Sequence, residues 1–529
     1  MKTVILLALL ISILTTSLSF AQPGTLDSIF SKDGKIFTSI GDYNDGANAV
    51  SIQKNGKILA AGYSLDSTGK SAFALVRYST RGKIDPSFGN KGIVTTYFHN
   101  KSSVANAMAI QNDGKIIVAG NTQDGIGLAR YLPDGSLDHS FSSKGKVIDS
   151  TIYTGNAIAI QTDSKIVVVG TTSNYHSGSS KDVDIAVVRY KPNGSPDSSF
   201  GVNGKVITDG GGVDKYHPHN NDYGNAIAVL PDGKIIVGGH SDVYDGNYAF
   251  VLFRYKPNGE IDSSFGVNGM ALTFMGGWYS FGMSMAILPN GKILLAGYTE
   301  GLVAYFAIAE YKRDGILDPG FGKNGTVIVS TYPYLRENFG KSIAVQQNGK
   351  IVVAGFAESG NYDTTRLELM RFTPHGLLDS SFGTNGIIFS NVQAKYGYYQ
   401  GGPAPAVALQ PDGKIVVAGN GRNKFSVVRY NSDPVTEHRP SDDIFSKQMF
   451  ATTSLAYVSP NPVKDIFQIQ HLSSSAKTIL ILDLKGKTLQ QVVTAKNNFS
   501  FNVSQSSAGM YLVKIYDDEK TATLKFIKE

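Results

Sequence analysis

Cysteine is absent from the 529 residues, and the chain carries one tryptophan and nine histidines. A disulfide scaffold, a thiolate metal centre and a cysteine nucleophile are therefore excluded. Charge is sparse too. Charged residues make up 17% of the chain, and 49 basic against 43 acidic residues leave a formal net charge of +6. So thin an excess is no nucleic-acid footprint, and no nucleic-acid partner is expected. H-E-x-x-H, G-x-S-x-G and phosphate-loop motifs are missing, and no cofactor is expected. What the chain does have is glycine, 58 residues of it, and 42% hydrophobic residues, ample for sizeable cores.

Residues 1–21 read as a secretory signal. Lys2 supplies the basic start, Val4 to Leu14 the apolar core, and Ser19-Phe20-Ala21 the small residues of a cleavage site. That core is too short to span about 30 Å of hydrocarbon comfortably. Beyond it no run approaches the ~18 apolar residues of a membrane helix, so no membrane span is expected in the mature chain.

From there the chain repeats itself about every 60 residues. A "DGKIxVAG" landmark places its glycine at Gly56, Gly114, Gly233, Gly291, Gly349 and Gly413, with Ser164 in the glycine place of one copy. An "RY" pair follows, from Arg77-Tyr78 to Arg429-Tyr430, weakened to Arg371-Phe372 once and broken at Glu310-Tyr311. Then comes "D-x-x-F", as in Asp85 and Phe88. Alternating and β-branched runs separated by Asn/Asp-Gly and Pro-Asp-Gly turns predict four antiparallel strands per repeat. Seven such repeats predict an all-β, seven-bladed propeller over residues 22–431. The last repeat lacks its "D-x-x-F" half, and an orphan copy sits at Asp27, Phe30 and Gly34. The N-terminal strand is therefore expected to close the last blade and leave no open sheet edge.

These landmarks, in fixed order from Leu26 to Asn431, resemble the delta-60 repeat of bacterial surface proteins. The resemblance implies a repeat architecture and no particular activity. Met283, Lys341 and Pro405 depart from it at the strand-initial asparagine, and local loosening is expected there.

Two spacings are constant and two vary. Asn106 to Gly114 and Arg77 to Asp85 each span eight residues, and so do their counterparts. By contrast the second connection is 15 residues at Lys115 to Arg130 and 24 at Lys165 to Arg189, and the fourth varies likewise. Connections two and four share one end of an antiparallel blade, so all length variation is expected on one face, where functional loops belong. Fourth-connection aromatics gather there, and Trp278, Tyr279, Tyr216, Tyr334, Tyr396, Tyr398 and Tyr399 are the candidate ligand-binding residues. His217 and His219, near Asp214 and Asp222, are weak metal candidates. The repeated aspartates lie on the constant face beside an arginine and read as scaffold, so no catalytic residue is assigned.

Residues 432–455 read as a polar linker with Pro434 and Pro440. Residues 456–529 alternate in short strands that suit a small β-sandwich. This segment resembles the type A sorting domain of the type IX secretion system of Bacteroidetes, through Pro460, Asn461, Pro462, Gly486, Gly509 and Tyr511. The resemblance implies the type IX machinery as a partner, and passage through the periplasm and across the outer membrane. It then implies removal of the domain, with attachment at the cell surface or release to the medium. A monomer is expected. The function reading is an exported binding module for an unidentified glycan, peptide or protein; the alternative is an extracellular polysaccharide- or peptide-degrading hydrolase or lyase acting on the variable face.

Overall fold

Each repeat's alternating inner run, two β-branched central runs and one short outer run form a four-stranded antiparallel blade. The structure is a computed structural model. It describes residues 22–41, 43–172, 183–210, 221–244, 247–330, 337–358, 365–394 and 405–433 of the repeat region. Of the C-terminal region it describes 457–459, 465–470, 477–483, 487–494, 499–507, 509–517 and 521–528. The expected signal segment lies outside the described residues. Among those described no helix is long and apolar enough to cross a membrane.

Blade one holds β2 (Asp45–Ile52), β3 (Ile58–Leu65), β4 (Ser71–Tyr78) and β5 (Ile93–Thr96). Blade two holds β6 (Ser103–Ile110), β7 (Ile116–Thr122), β8 (Gly125–Tyr131) and β9 (Lys146–Asp149). Blade three holds β10 (Ala157–Ile160), β11 (Ile166–Thr171), β12 (Ile185–Tyr190) and β13 (Lys205–Thr208). Blade four holds β14 (Asp222–Val229), β15 (Ile235–Tyr244), β16 (Asn247–Tyr255) and β17 (Met270–Thr273). Blade five holds β18 (Tyr279–Ile287), β19 (Ile293–Glu300), β20 (Ala304–Tyr311) and β21 (Thr326–Val329). Blade six holds β22 (Glu337–Val345), β23 (Ile351–Glu358), β24 (Thr365–Phe372) and β25 (Ile387–Ala394). Blade seven joins β26 (Ala406–Leu409), β27 (Ile415–Gly421) and β28 (Lys424–Tyr430) to the N-terminal β1 (Lys35–Thr38).

The central strands are buried on both faces because each blade packs between two others; all eight residues of β4 are buried. The first turn of each blade needs a left-handed residue, which glycine supplies at Gly56 (φ +78°). Ser164 adopts the same conformation at φ +65°, at some steric cost.

The "RY" pair ties neighbouring blades in both directions. Arg77 Nε pairs with Asp85 Oδ2 at 2.8 Å, its NH1 donates to the carbonyl of Pro133 in blade two, and its guanidinium lies 4.6 Å from the Phe88 ring centroid. Arg130, Arg189 and Arg254 repeat this with Asp138, Asp197 and Asp262. The aspartate also caps its own turn: Asp85 Oδ1 accepts from the Ser87 hydroxyl at 2.8 Å. The tyrosine reaches back. Tyr131 donates to Thr96 Oγ1 of the blade before it, and Tyr311 to Thr273 Oγ1, both at 2.9 Å. Phe372 has no hydroxyl, and Val329 stands where the threonine would be. Losing both partners together leaves no buried polar atom unsatisfied there.

The ring closes as the orphan repeat predicts. β1 pairs antiparallel with β28, from Lys35 opposite Val428 to Thr38 opposite Phe425. The segment before it completes the missing half-repeat: the Asp27 amide donates to Arg429 O, and the Asn431 amide to Thr25 O. Asp27 Oδ2 lies 2.8 Å from Arg429 NH2 and 2.9 Å from Lys414 Nζ. Across the seam Thr38 Oγ1 and Tyr78 OH share a 2.8 Å hydrogen bond. On the other side Asp433 pairs with Arg371 at 2.9 Å and Lys350 at 2.8 Å.

In blade five Glu310 stands in the arginine's place and faces Asp318. Lys292 Nζ stands between them, 2.9 Å from Glu310 Oε1 and 2.6 Å from Asp318 Oδ2. One ammonium does the neutralising that the arginine does elsewhere.

The C-terminal region, Thr436–Glu529, forms a separate compact unit. One sheet joins β29 (Tyr457–Ser459), β30 (Ile466–Gln470) and β33 (Phe499–Asn502); the other orders β32 (Thr488–Thr494), β31 (Lys477–Leu482), β34 (Gly509–Asp517) and β35 (Thr521–Lys528). Ile469, Ile479, Ile481, Phe501, Val513 and Ile515 fill its core.

Two outcomes test the stitching. Asp27→Asn and Arg429→Gln each destabilise the propeller by about 3 kcal/mol, because each strands a buried charge. In a double-mutant cycle by urea unfolding their coupling exceeds about 1 kcal/mol, whereas additive effects would mean that Asp27 only caps its turn. Second, Lys292→Met leaves two facing acids and costs at least about 1 kcal/mol more than Lys115→Met, where Arg130 still holds Asp138; comparing the two melting curves checks this.

Candidate functional site

Five of the seven inner strands carry a bulge, and the bulged residue is the strand-initial residue of the repeat. Register shifts bracket Asn48, Asn106, Asn225, Met283 and Lys341. An unpaired bulged residue is free to re-aim its side chain. Asn48, Asn106, Asn156 and Asn225 use theirs to reach the next blade, donating from Nδ2 to the carbonyls of Ala105, Gly155, Gly224 and Gly282 at 2.8–3.2 Å. A belt of side-chain amides thus joins the inner strands of blades one to five. It stops at Met283, Lys341 and Pro405.

Aromatic side chains occupy the break. Tyr223 stacks on His240 at 4.7 Å between ring centroids. His240 meets Phe281 edge-on at 4.9 Å, Phe281 meets Tyr298 at 4.8 Å, and Tyr298 meets Phe339 at 4.9 Å. Phe339 then stacks on Phe356 at 4.8 Å. Tyr248 and Tyr279 flank this line, 6.1 Å from each other. Lys341 Nζ sits 4.9 Å from the Tyr298 centroid and 5.7 Å from that of Phe356. The bulge that carries an asparagine elsewhere carries a cation here, held over two ring faces. So the loosening expected at Lys341 is a change of interaction: cation–π contact replaces the amide.

The belt lies at the starts of β14, β16, β18 and β22 and the ends of β15, β19 and β23. Those ends belong to connections two and four, the variable face. Its outer edge is open: Tyr279 is 37% and Trp278 58% exposed. Of the candidate ligand-binding residues, the structure places Trp278 and Tyr279 at this edge. Tyr216, Tyr334, Tyr396, Tyr398 and Tyr399 lie outside the described residues, as do His217 and His219. Phe98, from an equivalent loop, is buried and packs on Phe73 at 4.7 Å, so that loop aromatic is core. In the C-terminal unit Gly509 opens β34, and Tyr511 is buried with its hydroxyl donating to Ser507 O at 2.7 Å. Pro460, Asn461, Pro462 and Gly486 lie outside the described residues.

Three of the belt residues missed by sequence reasoning, His240, Tyr298 and Phe356, share one column. The position after the "VAG" glycine reads Tyr63, Asn121, Thr171, His240, Tyr298, Phe356 and Asn420. Its neighbours hardly change between repeats, and this variability was the available signal.

Buried ionisable groups cluster on the same side. Burial pushes the His240 imidazole down to about 3, with Lys341 acting in the same direction. Burial also pushes the Lys341 ammonium down to about 8. Glu337 and Glu358 are opposite each other on β22 and β23, and burial, reinforced by Glu337, raises the Glu358 carboxyl to about 7. Glu300 is raised by the same two causes. Glu368 is fully buried, accepts from Asn338 Nδ2 at 3.0 Å, and is pushed up to about 8 by burial.

The model of the DUF5122 β-propeller domain matches residues 53–88, 111–141, 161–200, 230–265, 288–321, 346–382 and 410–433. That described as a secretion system C-terminal sorting domain matches 457–529. No curated protein matches the chain. Among solved structures, PorZ of Porphyromonas gingivalis is described as an essential bacterial surface component of the type-IX secretion system. It shares 14% identity at a TM-score of 0.38, over 93% of this chain and 60% of that one. The polysaccharide lyase Uly1 shares 13% at 0.41, over 73% and 90%. A PL25 ulvan lyase shares 14% at 0.41, over 75% and 96%. Likenesses this slight carry no argument about activity.

A histidine held near 3 stays neutral through the physiological range. The unfolded chain takes up a proton near pH 6.5 and the folded site does not, so this group's stabilising contribution falls as pH drops below about 6.5. NMR of ring-labelled protein should show no titration of His240 between pH 5 and 8; a midpoint near 6.5 would contradict its burial.

Proposed function

The chain is a DUF5122 β-propeller that ends in a type IX sorting domain, exported to the cell surface or the extracellular space, and we propose that its propeller is a carbohydrate-binding module. The observation that carries this reading is the aromatic belt across blades four to six, open at Trp278 and Tyr279. Sugar rings present flat C–H faces that stack on such surfaces, and two-angle aromatic side chains lose little entropy in holding them. Lys341 beside the belt adds a cation that favours uronate or sulfated sugars. The type IX machinery handles the C-terminal unit, and the propeller is the part that meets the ligand.

The second reading, a hydrolase or lyase, draws on Glu337 and Glu358. A carboxyl raised by burial beside a second acid, as Glu358 is, suits a general acid. One experiment separates the two. Mature protein is titrated with neutral and acidic oligosaccharides by calorimetry, and the same mixtures are assayed for new reducing ends or unsaturated products. Binding should fall about tenfold, or ~1.4 kcal/mol, for Trp278→Ala and Tyr279→Ala, with no product formed. Product formation abolished by Glu358→Gln would support the enzyme instead. No binding to any acidic or neutral glycan would dismiss the carbohydrate reading.

A further inference from the structure

Three carboxylates converge where blade three meets blade four. Asp184 precedes β12, Asp209 follows β13, and Asp222 begins β14; one oxygen from each lies within 4.8 Å of the others. Main-chain bonds fix the three segments together. The Asp222 amide donates to Val183 O, and the Asp184 amide donates to Thr172 Oγ1. Gly210 N donates to Asp222 Oδ2 at 2.6 Å.

Two further carboxylates beside the fully buried Asp222 make a place that a bound cation would stabilise. A second observation says where. Asp222 Oδ1 and the Ser241 hydroxyl, on paired residues of β14 and β15, are both buried, and neither has a hydrogen-bond partner among the described residues. Both face one point: an added Cβ on Gly210 would stand 2.7 Å from Asp222 Oδ1 and 2.9 Å from Ser241 Oγ. A buried hydroxyl aimed at an unsatisfied carboxylate oxygen, with two more carboxylates alongside, is a set of hard oxygen donors.

The junction of blades seven and one is an internal control. There Asp45 takes the place of Asp222, again opposite a serine, Ser64. Both its oxygens are satisfied by amides, Oδ2 from Ile40 at 2.7 Å and Oδ1 from Gly41 at 3.1 Å. Ser39 stands where Asp209 would be and Lys424 where Asp184 would be. The same backbone thus needs no acid at those two places. Blade three has put acids there, and has left one carboxylate oxygen unclaimed.

We propose that Asp184, Asp209, Asp222 and Ser241 hold a divalent cation of the calcium class. Two ligands at about 2.4 Å from one ion lie at most about 4.8 Å apart, which the carboxylate oxygens satisfy. No sulfur or nitrogen donor is among them, which disfavours zinc. The acids flank the long inserts 173–182 and 211–220, so the ion would join the roots of both on the variable face. This inference stands apart from whatever that face binds.

The test is calorimetric titration of the EDTA-treated mature chain with calcium chloride, with a parallel titration of magnesium chloride. One calcium per chain is expected, with magnesium at least tenfold weaker, and calcium should raise the melting temperature by several degrees. Asp209→Asn removes a ligand at an exposed position and should weaken calcium at least tenfold while leaving the circular dichroism spectrum unchanged. Asp222→Asn should abolish the calcium-dependent shift and melt no lower than wild type in EDTA, since it relieves repulsion. No stoichiometric calcium binding by the wild type, or an unchanged affinity in Asp209→Asn, would overturn the assignment.

Discussion

The arginine–aspartate pair at the end of every blade but the fifth is the interaction on which the ring depends. A single guanidinium binds its own blade's turn through Asp, stacks on its own Phe, and donates to a carbonyl of the next blade. Among the described residues only one parallel strand pair, Tyr248 of β16 with Tyr279 of β18, bridges two blades, so their angular order rests mainly on apolar packing and such polar stitches. The interaction is strong because it is nearly dry. Arg371 is fully buried, and Arg77, Arg130 and Arg189 nearly so, and in that setting charge-assisted contacts gain what water would screen. It is also unforgiving, since each member is costly to leave alone. Where the chain drops the arginine, at Glu310, it does not leave the two acids bare: Lys292 takes both.

Because the stitches occupy the face with the short turns, the other face is released from scaffold duty. Closure does the rest. Joining β1 to β28 removes the two edges that an open array would expose, and it also brings the orphan Asp27 to Arg429. The seam is built like the junction of blades one and two, with the Arg–Asp contact on one side and the Thr38–Tyr78 hydroxyl pair on the other.

The variable face shows how a repeat protein acquires an asymmetric site. The inner asparagine contact is a symmetric device, and it is abandoned over blades five to seven. Aromatic rings of blades four to six and the lysine of blade six line the break instead, and buried carboxyls gather nearby. The same low dielectric that strengthens the stitches drives Glu358 up and Lys341 down, toward forms that are neutral and reactive. Site and scaffold therefore use one physical setting to opposite ends.

Fold, blade count and ring closure were legible in the sequence because repetition makes each inference seven-fold redundant: the eight-residue Arg-to-Asp spacing in one copy can be checked in the others. Asp27 could be matched to Arg429 by counting alone. The sorting unit was legible for a similar reason, through short motifs in fixed order. The aromatic belt was not. Its members, Tyr223, His240, Phe281, Tyr298, Phe339 and Phe356, come from three blades and from two different columns of the repeat. Nothing local marks which ring touches which. Of the three acids at the blade three–four junction, Asp222 stood near the metal candidates in the sequence, but Asp184 and Asp209 did not; a long insert parts Asp209 from Asp222, and the three meet only when β12, β13 and β14 align. Local sequence sets strand, turn and spacing. Which side chains share a dry space is decided by how blades stack, and that is a property of the closed ring.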